Sequence, residues 1–409
     1  MILTLVIAGA LGLFLFYYLN LSRTQRNMLA RSQAWNSALG IAESGVEEAL
    51  AQLNPATPQP VIDRAANGWG QPSGGIYGPM SRALSSGSYS VEYTTDSCPV
   101  IYSTGYVAVA SLAATLSRTL LVTTTNIPLF TVAMAAKYNI NFNGNGVNTD
   151  SFNSANTNLS TGGLYDPAKT STNGDIASSE GIINVNNGNV NGNVYLSPTG
   201  TNSISKNGTI TGDVYYNFNA DFGDVALPQT TWLPLAPLGV PSVINGVSYQ
   251  YVITVSSGDY QVNNLTGNLY VGTNSDVRLL LTGNASPSNI RVAGPGTDAG
   301  HLVIYMAGPS FTLSGASTVD GGNAGNLNYF GTTNNTSINF SGNSSFTGTL
   351  YAPEAAFSLG GGGSSTYNVV GSVVANTISI NGHFNFHYDE NLLNAGPMKG
   401  YGADDWREL

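Results

Sequence analysis

Charge is what this sequence has least of: 9% of its 409 residues are Asp, Glu, Lys or Arg, where about a quarter is usual in soluble domains. With 13 Lys and Arg, no basic cluster and a net charge of −10, the chain has no face for phosphates, which excludes nucleic acid as a partner. Cysteine is nearly absent. Cys98 stands alone, so no intramolecular disulfide and no cysteine metal cage can form, and the sequence reads it as a small buried thiol or one that pairs with another chain. No HExxH, GxSxG or P-loop pattern occurs. What is abundant is glycine, 49 residues, with Asn, Ser and Thr, a neutral polar surface suited to an envelope or secreted β protein. The length predicts two or three folded units.

Met1 to Leu19 carries no charge and as a helix would span roughly 28 Å, close to the hydrocarbon thickness of a bilayer. A cleavable signal would need a basic stretch before it and a small-residue site behind it; neither is present. Tyr17 and Tyr18 stand where an interfacial belt would lie, and Arg23, Arg26 and Arg31 follow. Apolar residues then continue at helical spacing through Met28, Trp35, Leu39, Val46 and Leu50, with Glu43, Glu47 and Glu48 on the polar side. The spacing predicts one helix about 80 Å long, stopped at Asn54–Pro55. Leu3, Leu5, Ile7, Leu11, Phe14 and Leu19 form its membrane half. The Ala-rich continuation, without a flexible linker, suits packing against neighbouring helices; an ordinary single-pass anchor is the plainer alternative.

The apolar N-terminus running into SQAWNSALGIAESGVEEALAQL resembles the N-terminal helix of type IV pilins, and especially of PilX-like pilus-assembly proteins. The resemblance implies a structural subunit without enzymatic activity. Its N-terminal helix would pack with itself or other pilin-like subunits in an extracellular filament, with the subunit held in the inner membrane before assembly. It also implies a prepilin peptidase and pilus assembly machinery as partners, and a processed, methylated N-terminus, for which Met1 is the candidate unless it is the initiator. Pilins commonly carry Glu at the fifth mature residue, where this chain has Leu5. In such families that absence goes with minor, tip or initiating subunits, so a tip adhesin and a singly anchored surface binding protein remain alternatives.

The expected fold class is α+β, mostly β. Residues 1–54 form the helix, 55–127 a small pilin-like antiparallel head, 128–395 a repeat domain and 396–409 a tail. The head is read from GSYSVEYTT, PVIYSTGYVAVAS and TLSRTLLVTTT, which alternate like strands; the I-x-S-T-G element at Ile101–Gly105 also resembles PilX-like proteins. In the repeat domain NNGNVNGNVYL (Asn186–Leu196) aligns with KNGTITGDVYY (Lys206–Tyr216). Short strands with glycine and asparagine corners at that spacing suit the turns of a parallel β-helix, asparagine amides laddering between turns. A β-sandwich of NG hairpins is the alternative. Pro-rich Leu227–Pro241 reads as a crossing or covering loop, with Trp232 placed to plug the core. FHYDENLL, GNSSFTGTLYAPEAAFSL and NTDSFNSANTNLSTGGLYD resemble a domain often attached to PilX-like proteins, one with no activity to carry over.

Chemistry is sparse. A parallel β-helix raises glycan cleavage as an alternative, but Lys169, Lys206, Arg278 and Arg291 are the only Lys or Arg between Tyr138 and Asn394, and none stands beside paired carboxylates. Metal candidates are few. A period of two puts His383, Asn385, His387 and Asp389 on one side of a strand and Phe384, Phe386 and Tyr388 on the other, which reads as a metal face or as a solvent side. Asp150 with Asn148, Ser151 and Asn153, and Asp320 with Asn323, are oxygen-rich turns that could hold Ca2+, though turn chemistry accounts for them. No cofactor is otherwise expected.

Overall fold

A computed structural model of the chain describes residues 2–54, 67–109, 113–144, 146–204, 208–294, 298–361 and 367–409. Met1, Pro55 and Lys206 fall outside the described residues. The chain forms two compact units, one of residues up to 54, 67–127 and 400–409, the other of 128–399.

The first unit is built on helix α1 (Ile2–Leu53) and strands β1 (Ile76–Leu84), β2 (Gly87–Thr94), β3 (Val100–Val109) and β4 (Ala114–Pro128). The strands pair antiparallel in sequence order. Alternation puts Tyr89, Val91, Tyr93, Ile101, Leu120 and Val122 on the buried face, against which the small-residue stripe Ala34, Ala38, Ala42, Gly45 and Ala49 of α1 packs. Small residues let the helix come close. A Cβ on Gly105 would lie 2.1 Å from Ala38 O, and Ser103 Oγ donates to Ala42 O at 2.7 Å. The I-x-S-T-G element and the A-E-S-G stretch of the helix are therefore the two sides of one contact. Ser103→Ala is expected to cost about 1 kcal/mol, readable as a lowered Tm with unchanged secondary structure by circular dichroism.

Residues 396–409 are not a tail. Met398–Glu408 is a fifth strand beside β4, with Leu409 N donating to Thr119 O at 3.0 Å and Arg118 paired with Glu408. Asn54 ties the end of α1 to it, its amide donating to Tyr401 O (2.7 Å) and accepting from Tyr401 N (2.5 Å). KGYGADDWREL has no alternation to announce a strand; the pairing comes from β4. Cys98, read as buried, is exposed.

The second unit is a stack of short strands. Its described strand pairings are parallel apart from one hairpin, Ser242–Ile244 with Val247–Tyr249, which is not the pattern of a hairpin sandwich. Val190 pairs with Ile210 and Val194 with Val214, the offset of 20 between the matching sequences. Inward residues form apolar columns, one of them Leu269, Ile290, Val319, Phe346, Val369 and Phe386, all buried. Outside, amides ladder between turns: Asn184 Nδ2 donates to Asn141 Oδ1 at 2.6 Å and Asn189 Nδ2 to Asn148 Oδ1 at 2.7 Å. At Gly371 (φ +124°) a Cβ would meet Gly348 O of the adjacent turn at 1.9 Å, so only glycine fits.

The chain enters this stack in its middle. Asn148–Phe152 lies between the turn at Asn189–Val190 and the last turn, Phe384–Asp389. The chain first runs to the end turn, Thr209–Ile210 and Val214–Tyr215, then crosses, re-enters at Leu233–Pro234 beside Tyr260–Gln261 and coils back. The Pro-rich segment makes the crossing. Phe218, Phe222, Val225, Leu227 and Trp232 lie over an outer apolar layer that includes Tyr195, Tyr305, Phe330 and Tyr351, and Tyr351 donates to Gly223 O at 2.9 Å. Trp232 is half-buried on that outer layer, edge-on to Tyr305 at 6.1 Å; it does not plug the core.

Candidate functional site

The helix presents two chemically different halves. From Ile2 to Ser22 no residue is charged, and within α1 the apolar membrane-length window is wholly exposed. Leu3, Leu5, Ile7, Leu11, Phe14 and Leu19 are each more than half exposed, and Gly9 and Gly12 have no neighbour within 4 Å. Beyond Ala34 the same helix is half core. Val46 is fully buried against the unit's own sheet and Leu39 and Leu50 pack partly against it, so Val46 is not a residue that a neighbouring helix can reach. Met28 and Trp35 stay exposed, Trp35 with the Arg118 guanidinium 5.1 Å over its ring.

Glu48 locks this half in place. Arg82 binds its carboxylate (Nε at 2.7 Å) and Tyr89 donates a short hydrogen bond to it. Burial pushes the Glu48 carboxyl up, but the bonds from Arg82 and Tyr89 outweigh it and hold it below its ordinary value. Burial, reinforced by the bond to Glu48, pushes the Tyr89 hydroxyl up to about 12.

Among the metal candidates the fold brings two together. His387 Nδ1 lies 2.5 Å from Asp150 Oδ1, and its Nε2 3.1 Å from Asn368 Oδ1. Tyr165 stacks on the imidazole at 3.6 Å and donates to Asp150 Oδ2 at 3.1 Å. Asp389, His383 and Asp320 do not join them, and among the described residues no three His, Cys, Asp or Glu converge. Asp320 accepts from Gly322 N at 2.8 Å in its own turn. The strand's alternation is as expected at Phe384 and Phe386, which enter the core, but not at Tyr388, which joins the outer apolar layer and donates to Phe130 O at 2.9 Å. The strand's other side is not solvent: His387 and Asp389 are 2% and 1% exposed, because the loop after Phe152 folds over them. Tyr165 and Asn368 were not singled out by the sequence.

Burial holds the Asp389 carboxyl above its ordinary range, partly offset by bonds from Ser154 N (3.0 Å) and Asn391 N (3.1 Å). A carboxyl raised by folding binds its proton more tightly in the native state. Its stabilising contribution is therefore present below the unfolded value of about 3.9 and is lost as pH rises through the folded one. Asp389→Asn, which keeps the acceptor, should gain stability relative to the parent at pH 7 but not at pH 4. Thermal unfolding at the two pH values checks this; an equal shift at both would contradict it.

Residues 245–395 match a family described as a domain of unknown function (DUF7305). No curated protein matches the chain. Among solved structures the chain is similar to the competence-associated pilin ComZ from Thermus thermophilus, at 12% identity over 91% of this chain and 96% of that one. The TM-score of that match is 0.24, too low for the two folds to count as shared.

Proposed function

We propose that this chain is a pilin-like structural subunit, stored in the inner membrane through the first half of α1 and then packed by that half among other such helices in an extracellular filament. It acts by assembly, not catalysis. One observation carries the reading: a single 52-residue helix is unpartnered and apolar over its first half and becomes the core of a β head over its second. An ordinary anchor needs no rigid junction between membrane segment and head. A filament does, because the angle between core helix and head is repeated at every subunit. Ala8 and Gly12, four residues apart on the exposed half, would let helices approach closely.

Shearing filaments from cells and quantifying their proteins by mass spectrometry tests the proposal. The chain is expected in the filament fraction, sub-stoichiometric if minor. Recovery only in membranes would leave it a singly anchored surface protein.

A further inference from the structure

The pair of buried His387 and half-buried Asp150 is not something the stack itself requires. Positions stacked in the same outward column are Tyr270, Arg291, Asp320, Thr347 and Val370, and desolvating an ionisable pair is costly unless its geometry serves something. What the pair holds are Tyr165, by stacking and through Asp150, and Asn368, through His387 Nε2. Both line one cleft. It is open, about 330 Å³ in volume, within the range of small-ligand sites. Leu164 and Tyr165 of the covering loop line it together with Asp320, Thr347 and Val370 of one outward column and with Asn368.

The composition of this cleft selects a ligand class. Hydroxyl, amide and carboxylate groups offer hydrogen bonds to several ligand hydroxyls, while Leu164, Tyr165 and Val370 offer an apolar surface to C–H groups. None of the lining residues is basic, and Asp320 repels anions. We propose that this cleft binds a neutral glycan, with Asp320, Thr347 and Asn368 hydrogen-bonding sugar hydroxyls and Leu164 and Tyr165 packing on a ring face. His387 and Asp150 are positioning residues for Tyr165 and Asn368. The site stands independently of filament assembly.

The test uses the full chain in micelles of a zwitterionic detergent without a sugar headgroup. Isothermal titration is run with maltohexaose, cellohexaose, chitohexaose and hexagalacturonate. At least one neutral hexasaccharide should bind with a sub-millimolar Kd, and hexagalacturonate at least about tenfold more weakly. Asp320→Asn, which keeps the acceptor for Gly322 N, and Tyr165→Ala should each weaken binding about tenfold or more, with Thr312→Ala on another face unchanged. The proposal is overturned if no neutral hexasaccharide binds, if hexagalacturonate is preferred, or if Asp320→Asn and Tyr165→Ala, shown folded by circular dichroism, bind like the parent.

Discussion

Leu11→Asp should remove this chain from membranes and from filaments while leaving its head folded. Leu11 sits midway along the charge-free stretch that ends before Arg23, and its side chain touches nothing that the head needs, being 64% exposed. A carboxylate at the centre of a membrane helix costs about 2.5–3.5 kcal/mol on insertion scales, which lowers the insertion equilibrium constant by roughly a hundredfold. The same charge in a filament core would face apolar neighbours with no partner. Asn36→Asp, placed beyond the membrane stretch on an exposed position of the same helix, is the control and should be recovered from membranes normally. Fractionation with immunodetection reads both. If Leu11→Asp partitions like its parent, the first half of α1 is neither a membrane segment nor a buried rod.

Gly105→Val should have the largest effect on the folded head. The added Cβ would fall 2.1 Å from Ala38 O and 2.6 Å from Ala42 N. Both are helix backbone atoms, so relief requires moving α1 off the sheet. Overpacking costs about 1–3 kcal/mol and occasionally more, and a clash with backbone belongs at the upper end. The Tm of the helix-bearing unit should fall well beyond that of Ser103→Ala, with the second unit's transition unmoved. Gly45 opposes the same region, its Cβ position lying 2.2 Å from Ser103 Oγ, so Gly45→Ala combined with Gly105→Val should not add simply. An unchanged Tm for Gly105→Val would mean that the helix is not seated as described.

Much of this architecture is legible in the sequence because it is written in short-range periods. The uncharged run and the 3.6-residue spacing of Ala38, Ala42, Val46 and Ala49 give the helix. The 20-residue offset between Val190 and Ile210 gives the stacked turns. Partners without a period stay hidden. Nothing local tells that Asn148–Phe152 pairs with Phe384–Asp389, or that Met398–Glu408 returns to β4, since the ladder hydrogen bonds are made by backbone common to every residue. The site shows the same limit. Alternation correctly turned Phe384 and Phe386 inward, but whether His387 meets water or Tyr165 depends on a loop more than 200 residues earlier, whose Gly and Asn fix turns and not destinations.

The central claim is that the exposed apolar half of α1 lies between subunits. It is tested most directly by ultraviolet cross-linking of sheared filaments in which a photoactivatable benzophenone amino acid replaces Phe14, a probe that needs no matching group on the neighbouring subunit. Phe14 is 74% exposed in the isolated chain, so burial against neighbours predicts cross-linked species containing this chain in the filament fraction after irradiation and none without it. Monomer only, with the chain confined to the membrane fraction, would contradict the account.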